Sequence, residues 1–99
     1  MEKTVVPTVT ELAKGVHFTA KQMQAKAGEK MPEHQADRES ILFIHKGECS
    51  LRMEKGEFFL KSGDAMNIPP FVKHQIKAIT DYKGIHFMPR DITFEFFKQ

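Results

Sequence analysis

The run SILFIHKGECSLRMEKGEFFLKSGD, residues 40–64, decides the fold. Its apolar residues come in short bursts, Ile41 to Ile44, then Cys49 to Met53, then Phe58 to Leu60, and each burst ends close to a glycine. Such bursts are too short for a buried helix, and their β-branched and aromatic content suits a pleated surface. They predict a strand followed by two shorter strands around Lys55-Gly56. Outward from this run, KHQIKAI (73–79) and KGIHFM (83–88) read as two more strands. On the other side, VHFTAKQMQAKAG (16–28) settles into period-two alternation through Met23, Ala25 and Ala27. Glycines at 28, 47, 56, 63 and 84 stand at the ends of these runs, 7 to 21 residues apart. That rhythm predicts an all-β antiparallel sandwich or barrel. One helical signal precedes it: Thr8-x-x-Glu11 has the spacing of a capping box, and Gly15 would close a short N-terminal helix.

Alternate residues of a strand share a face. From Ser40, Leu42 and Ile44 lie on one side, with Ile41, Phe43 and His45 on the other, so both sides are largely apolar. The terminal run ITFEFFKQ has the same character, with Ile92, Phe94 and Phe96 on one face and Phe97 on the other. A strand apolar on both faces is expected to be covered on both, and these outer faces are expected to form a homodimer interface. The 99 residues predict one domain, 1–99, and a chain of that size buries only about 60–65% of its unfolded surface. A second copy would extend its thin core.

Fifteen Lys and Arg against thirteen Asp and Glu leave a small, scattered positive excess, which argues against nucleic acid or a membrane surface as partner. A single cysteine, Cys49, makes no internal disulfide, and no apolar run approaches the roughly 20 residues that span a bilayer. A cytoplasmic protein is expected. Cys49 has no activating base close in sequence and reads as packing rather than nucleophile.

Imidazole titrates near neutrality, so the five histidines carry most of the argument about chemistry. His34 ends GEKMPEH and His74 ends GDAMNIPPFVKH, and the two share a layout of glycine, strand, proline and histidine. Proline presets its own φ and disfavours helix before it, so both histidines arrive on extended chain at a set angle. His86 lies between Ile85 and Phe87, so either the imidazole or its neighbours face inward. Facing inward, it is a third imidazole for a pocket. His45 and His17 are expected in packing or surface roles, Met23, Met66 and Met88 in the core or a pliable pocket wall, and Arg90 and Asp91 in a solvated ion pair.

The order Gly28-x5-His34-x-Ala36-x3-Ser40-x6-Gly47, then Gly63-x5-Pro69-x-Phe71-x2-His74-x3-Ala78, resembles the two motifs of the cupin superfamily. Those motifs are G-x5-H-x-H-x3-E-x6-G and G-x5-P-x-G-x2-H-x3-N. The glycine, proline and histidine anchors are in register across about residues 22–90. The resemblance implies an antiparallel jelly-roll β-barrel, or double-stranded β-helix, with a pocket lined from inside the strands. Its expected wall is His34, Ala36, Ser40 and Leu42 from the first half, with Met66, Phe71, His74 and His86 from the second.

In the family a metal is usually held at the places taken here by His34, Ala36, Ser40 and His74. Two of those four side chains carry no metal donor of the family's kind. His34 and His74 remain as ligands for a divalent ion such as zinc, iron, manganese or nickel, and two imidazoles alone bind such an ion weakly. A one-residue bulge would bring Glu39 in as a third donor. Phe71, at a glycine place, is expected to narrow the pocket mouth. The function expected is therefore binding of a small molecule without a full metal site, with no catalytic residue assigned. The alternative is a small cupin-type enzyme, an isomerase, cyclase or dioxygenase acting on a sugar or other small carbonyl compound through His34 and His74, with or without a divalent metal. A third reading is a barrel that serves only to pair with another protein.

Overall fold

The computed structural model describes residues 3–97. Twelve strands follow one another in this span: β1 (Lys3–Thr4), β2 (Thr8–Lys14), β3 (Phe18–Ala25), β4 (Glu29–Lys30), β5 (His34–Ala36), β6 (Ser40–Lys46), β7 (Glu48–Met53), β8 (Gly56–Lys61), β9 (Ala65–Ile68), β10 (His74–Ala78), β11 (Tyr82–Pro89) and β12 (Phe94–Phe96). Five form one sheet in the order β2-β3-β11-β6-β9. The other seven form the second sheet, along the path β1-β4-β10-β5-β12, with β7 joining β10 to β8. Apart from the short parallel pair β1/β4, the pairings are antiparallel. This is the all-β jelly-roll architecture expected from the glycine rhythm and the motif register.

The run that opened the reading becomes β6, β7 and β8. β7 and β8 make a hairpin in which Met53 pairs with Gly56, leaving Glu54 and Lys55 as its two-residue loop. Between β6 and β7 the chain turns at Gly47, whose φ is +83° and whose missing Cβ is required. A methyl there would run into the Asp81 carbonyl oxygen.

The N-terminal helix is absent. Thr8 to Lys14 is β2, an edge strand exposed along its whole length and paired with β3 from Thr8↔Gln24 to Lys14↔Thr19. A capping box stabilises only the first turn of a helix, while Thr8, Val9 and Thr10 are β-branched. Val9, Leu12, Ala13 and Val16 do recur at helical spacing, but an isolated helix this short is marginal, and the open edge of β3 offers a ladder of hydrogen bonds instead.

The core fills the space between the sheets. Leu42, Ile44, Cys49, Leu51, Ile76 and Ala78 are fully buried, with Tyr82, Ile68, Met31 and Ala25 beside them. Burying each large aliphatic side chain contributes roughly 1.5–3 kcal/mol. The Tyr82 ring lies over Gly84, its neighbour on the same face of β11, where a Cβ would collide with the ring. Burial pushes the Cys49 thiol up to about 12, so this sulfur behaves as a small apolar group. Among the described residues, no helix is long and apolar enough to cross a membrane.

In a single chain the outer face of the five-stranded sheet is left open. Ile41 pairs with Phe87 and Phe43 with Ile85 across β6 and β11. Ile41 and Phe87 are 42% and 43% exposed, and Phe43 and Ile85 are half-buried.

Candidate functional site

Pairing register brings the histidines together. His74 on β10 is the direct partner of His34 on β5, and Phe96 on β12 is the partner of His34 on its other side. Side chains opposite one another on neighbouring strands share a face. Accordingly the His34 and His74 rings meet edge to face with centroids 4.2 Å apart. Phe94 and Phe96 lie against His34 at 5.7 and 5.2 Å. On the facing sheet, the inner face of β11 runs Tyr82, Gly84, His86 and Met88, so His86 is turned inward and Ile85 and Phe87 outward.

His34 and His74 are each tied to the backbone two residues before. The Nδ1–H of His34 donates to the Pro32 carbonyl at 3.0 Å, and that of His74 to the Val72 carbonyl at 2.9 Å. A carbonyl only accepts, so both rings carry their proton on Nδ1 and leave Nε2 with a lone pair. His86 Nε2 is buried and has no hydrogen-bond partner among the described residues. Burial lowers the pKa of His34, and it lowers that of His74 to about 4, opposed in part by the Val72 bond. Burial also takes His86 to about 3, with the neighbouring His34 and His74 adding to the effect. All three imidazoles are neutral at pH 7.

A cavity of about 570 Å³ opens beside this cluster, a volume within the range of small-molecule sites. His34 and His86 line it with Lys21, and the other nine lining side chains are apolar, among them Met23, Met31, Met88, Phe94 and Phe96. Lys21 stands opposite His86 across β3 and β11.

The remaining expected wall residues lie elsewhere. His74 is buried behind His34. Ala36 and Ser40 are buried, Leu42 is in the core, and Met66 packs against that core opposite Leu42. Phe71 does not narrow the mouth of this cavity. It is 67% exposed and takes a left-handed backbone, φ 61°, in the turn before β10, with its N–H bonded to the Ala36 carbonyl. Glycine adopts that conformation without strain, and its place in the family motif is thereby explained. Glu39 is exposed, so no bulge brings it inward. His45 and His17 are also exposed. Asp91 pairs with Arg38 at 2.6 Å in solvent, and Arg90 donates to the Gly15 carbonyl.

Phe94 and Phe96, expected on a dimer face, line the cavity in the single chain, with Phe96 62% exposed. Strand parity placed them together, but only the pairing of β12 with β5 says which side is inside. Lys21 was legible in principle, being in the same parity series as Met23 and Ala25.

A family profile described as the AraC-like ligand binding domain matches residues 22–95, three-quarters of the chain. The chain belongs to that family. No curated protein sequence matches it. Among solved structures, this AraC-like ligand binding domain is similar to a cupin superfamily protein from Desulfitobacterium hafniense DCB-2, with a TM-score of 0.78 at 18% identity over 86% of this chain and 78% of that one. It is similar also to a cupin-2 domain containing protein from Shewanella frigidimarina NCIMB 400, with a TM-score of 0.75 at 19% identity over 84% and 80%. A salicylate 1,2-dioxygenase from Pseudoaminobacter salicylatoxidans, solved as adducts with gentisate, superposes with a TM-score of 0.84 at 12% identity over 94% of this chain. The chain spans 29% of that dioxygenase. These likenesses establish the cupin fold.

Whether this domain could hold a cupin-type metal is a question about its donors. Ala36 and Ser40 supply neither imidazole nor carboxylate, and Glu39 points away. Among the described residues, no group of three or more His, Cys, Asp or Glu side chains is arranged to hold a metal ion. His34 and His74 are in place and His86 faces inward near them, yet the three are not grouped as the roughly three-donor set that a catalytic zinc or non-haem iron centre uses. The donor set does not fit such a centre.

Proposed function

We propose that this domain is a small-molecule-binding module whose ligand occupies the cavity between Lys21, His34, His86 and the aromatic wall of β12. One observation carries the reading: nine of twelve lining side chains are apolar and only three are polar. A ligand site of this make-up binds by burying apolar surface, and the few polar groups set orientation. A polyhydroxylated sugar is a poor occupant, because most of its hydroxyls would lose water without gaining a partner. Proton-transfer catalysis by the histidines is disfavoured too, since imidazoles held near 4 and 3 are weak bases at neutral pH.

Ligand binding raises the melting temperature by mass action. A panel of small apolar compounds is expected to contain members that raise it for the wild type but not for Met88→Trp, whose larger side chain fills the cavity. If no compound separates the two proteins, the cavity is not a binding site. The metal-dependent reading has its own check: purified protein made without chelator or affinity tag is expected to carry well under one divalent ion per chain. One tightly held ion per chain, lost in His34→Ala and His74→Ala, would replace the binding module with a metalloenzyme.

As part of the same proposal, residues 1–99 act as a single domain, and the apolar outer face around Ile41 and Phe87 takes a second copy of the chain.

A further inference from the structure

Lys21 is the one cavity-lining side chain with a permanent charge. It is half-buried on the inner face of β3, and it belongs to neither of the two ion pairs described, Arg38–Asp91 and Lys73–Glu33. Its cross-strand neighbour on β2 is Glu11, which is exposed. A lysine on the wall of an apolar cavity is a point charge in a medium where charge interactions are stronger than in water. An anionic group on a ligand is the natural complement, and a single cation matches a single negative charge.

Resting on the binding-module reading above, we propose that the ligand is an apolar monocarboxylate, its carboxylate paired with Lys21 and its hydrocarbon part against Met23, Met88, Phe94 and Phe96. The geometry supports this division of labour. Lys21 sits opposite His86 across β3 and β11. Phe94 and Phe96 present their rings from the other sheet, with centroids 6.3 Å apart. His34, with its Nδ1–H tied to Pro32, offers the cavity only an acceptor at Nε2. It therefore gives nothing to the carboxylate, and Lys21 is the lining group whose charge complements it. The uncharged imidazoles add no second cation, which argues against phosphate esters and dicarboxylates.

The test uses benzoate and hexanoate as probes, with benzamide and hexanamide as uncharged counterparts of the same shape, by titration calorimetry on the full chain. Both carboxylates are expected to bind at least tenfold more tightly than their amides. Lys21→Met is expected to remove that preference, while Lys21→Arg keeps it, because charge rather than packing is at work. Added salt is expected to weaken the carboxylates more than the amides. Amides that bind as well as the carboxylates, or a preference that survives Lys21→Met, would overturn the carboxylate assignment and leave the binding module standing. No binding by any of the four probes would overturn the assignment, and an unresponsive wider panel would take the module with it.

Discussion

His86 is the residue with the most unusual surroundings. Its ring is buried, its Nε2 has no partner among the described residues, and burial together with His34 and His74 takes its pKa to about 3. His74 follows at about 4. In the unfolded chain both titrate near 6.5. Above that value neither state binds a proton at these sites, and their neutral forms cost the fold nothing electrostatically. As pH falls below 6.5, the unfolded chain takes up protons that the folded protein refuses, so stability drops. The loss is about 1.4 kcal/mol per pH unit per histidine and continues until the folded value, about 4 or 3, is reached. Urea unfolding at pH 7 and pH 5 is therefore expected to show a loss of a few kcal/mol for the wild type. His86→Leu, which also removes the unpartnered nitrogen, is expected to unfold within about 1 kcal/mol of wild type at pH 7 and to lose clearly less at pH 5. Equal losses in the two proteins would mean that His86 is not held neutral by burial. The inward face of His86 was an open choice in the sequence, because GIHFM has apolar neighbours on both sides and periodicity alone does not choose.

At the scale of elements, turns set which strands meet. Gly47 and Gly63 both have left-handed φ, +83° and +93°, but their surroundings differ. A Cβ at Gly47 would enter the Asp81 carbonyl, whereas nothing lies within 4 Å of one at Gly63. Gly47→Ala is expected to cost at least about 2 kcal/mol and Gly63→Ala about 1 kcal/mol, the latter being backbone strain alone. Phe71 is the converse case. Its φ of 61° strains a residue with a Cβ, and its ring is mostly in solvent, so Phe71→Gly is expected to gain up to about 1 kcal/mol in denaturant unfolding. A series in which Gly63→Ala is the more damaging alanine, or in which Phe71→Gly destabilises, would contradict this account of the turns. The glycine positions were readable from sequence because the residue type itself reports the backbone. The N-terminal segment was misread for a related reason. The pattern Thr8-x-x-Glu11 reports a local option, and pairing with β3 is a non-local one that no local pattern contains.

At the scale of the whole molecule, one face is left to explain. Ile41, Phe43, Ile85 and Phe87 form a contiguous apolar block on the outside of the five-stranded sheet, with Phe18, 64% exposed, at the end of β3 beyond it. On the proposed homodimer, light scattering after size exclusion is expected to give twice the chain mass for wild type and the chain mass for Ile41→Lys/Phe87→Lys. Both changes point into solvent in a single copy, so the variant is expected to stay folded. Wild type that runs at the chain mass at micromolar concentration would rule out the second copy. The other apolar face expected at contacts, Phe94 and Phe96, lines the cavity.

What the amino-acid sequence determined by itself follows from local rules. Strand content follows from short β-forming runs, turn places from glycine and proline, and the family and its barrel from motif register. The delivery of His34 and His74 toward one another also follows, since the two segments share one layout. Only the tertiary structure decided which face of β11 and β12 is inside, because a two-residue period makes both faces equivalent until a partner strand is chosen. That choice put His86, Lys21, Phe94 and Phe96 around one cavity and left Phe71 and Glu39 in solvent. The site is a product of pairing between strands far apart in sequence, and pairing is the one property that no short stretch of this chain encodes alone.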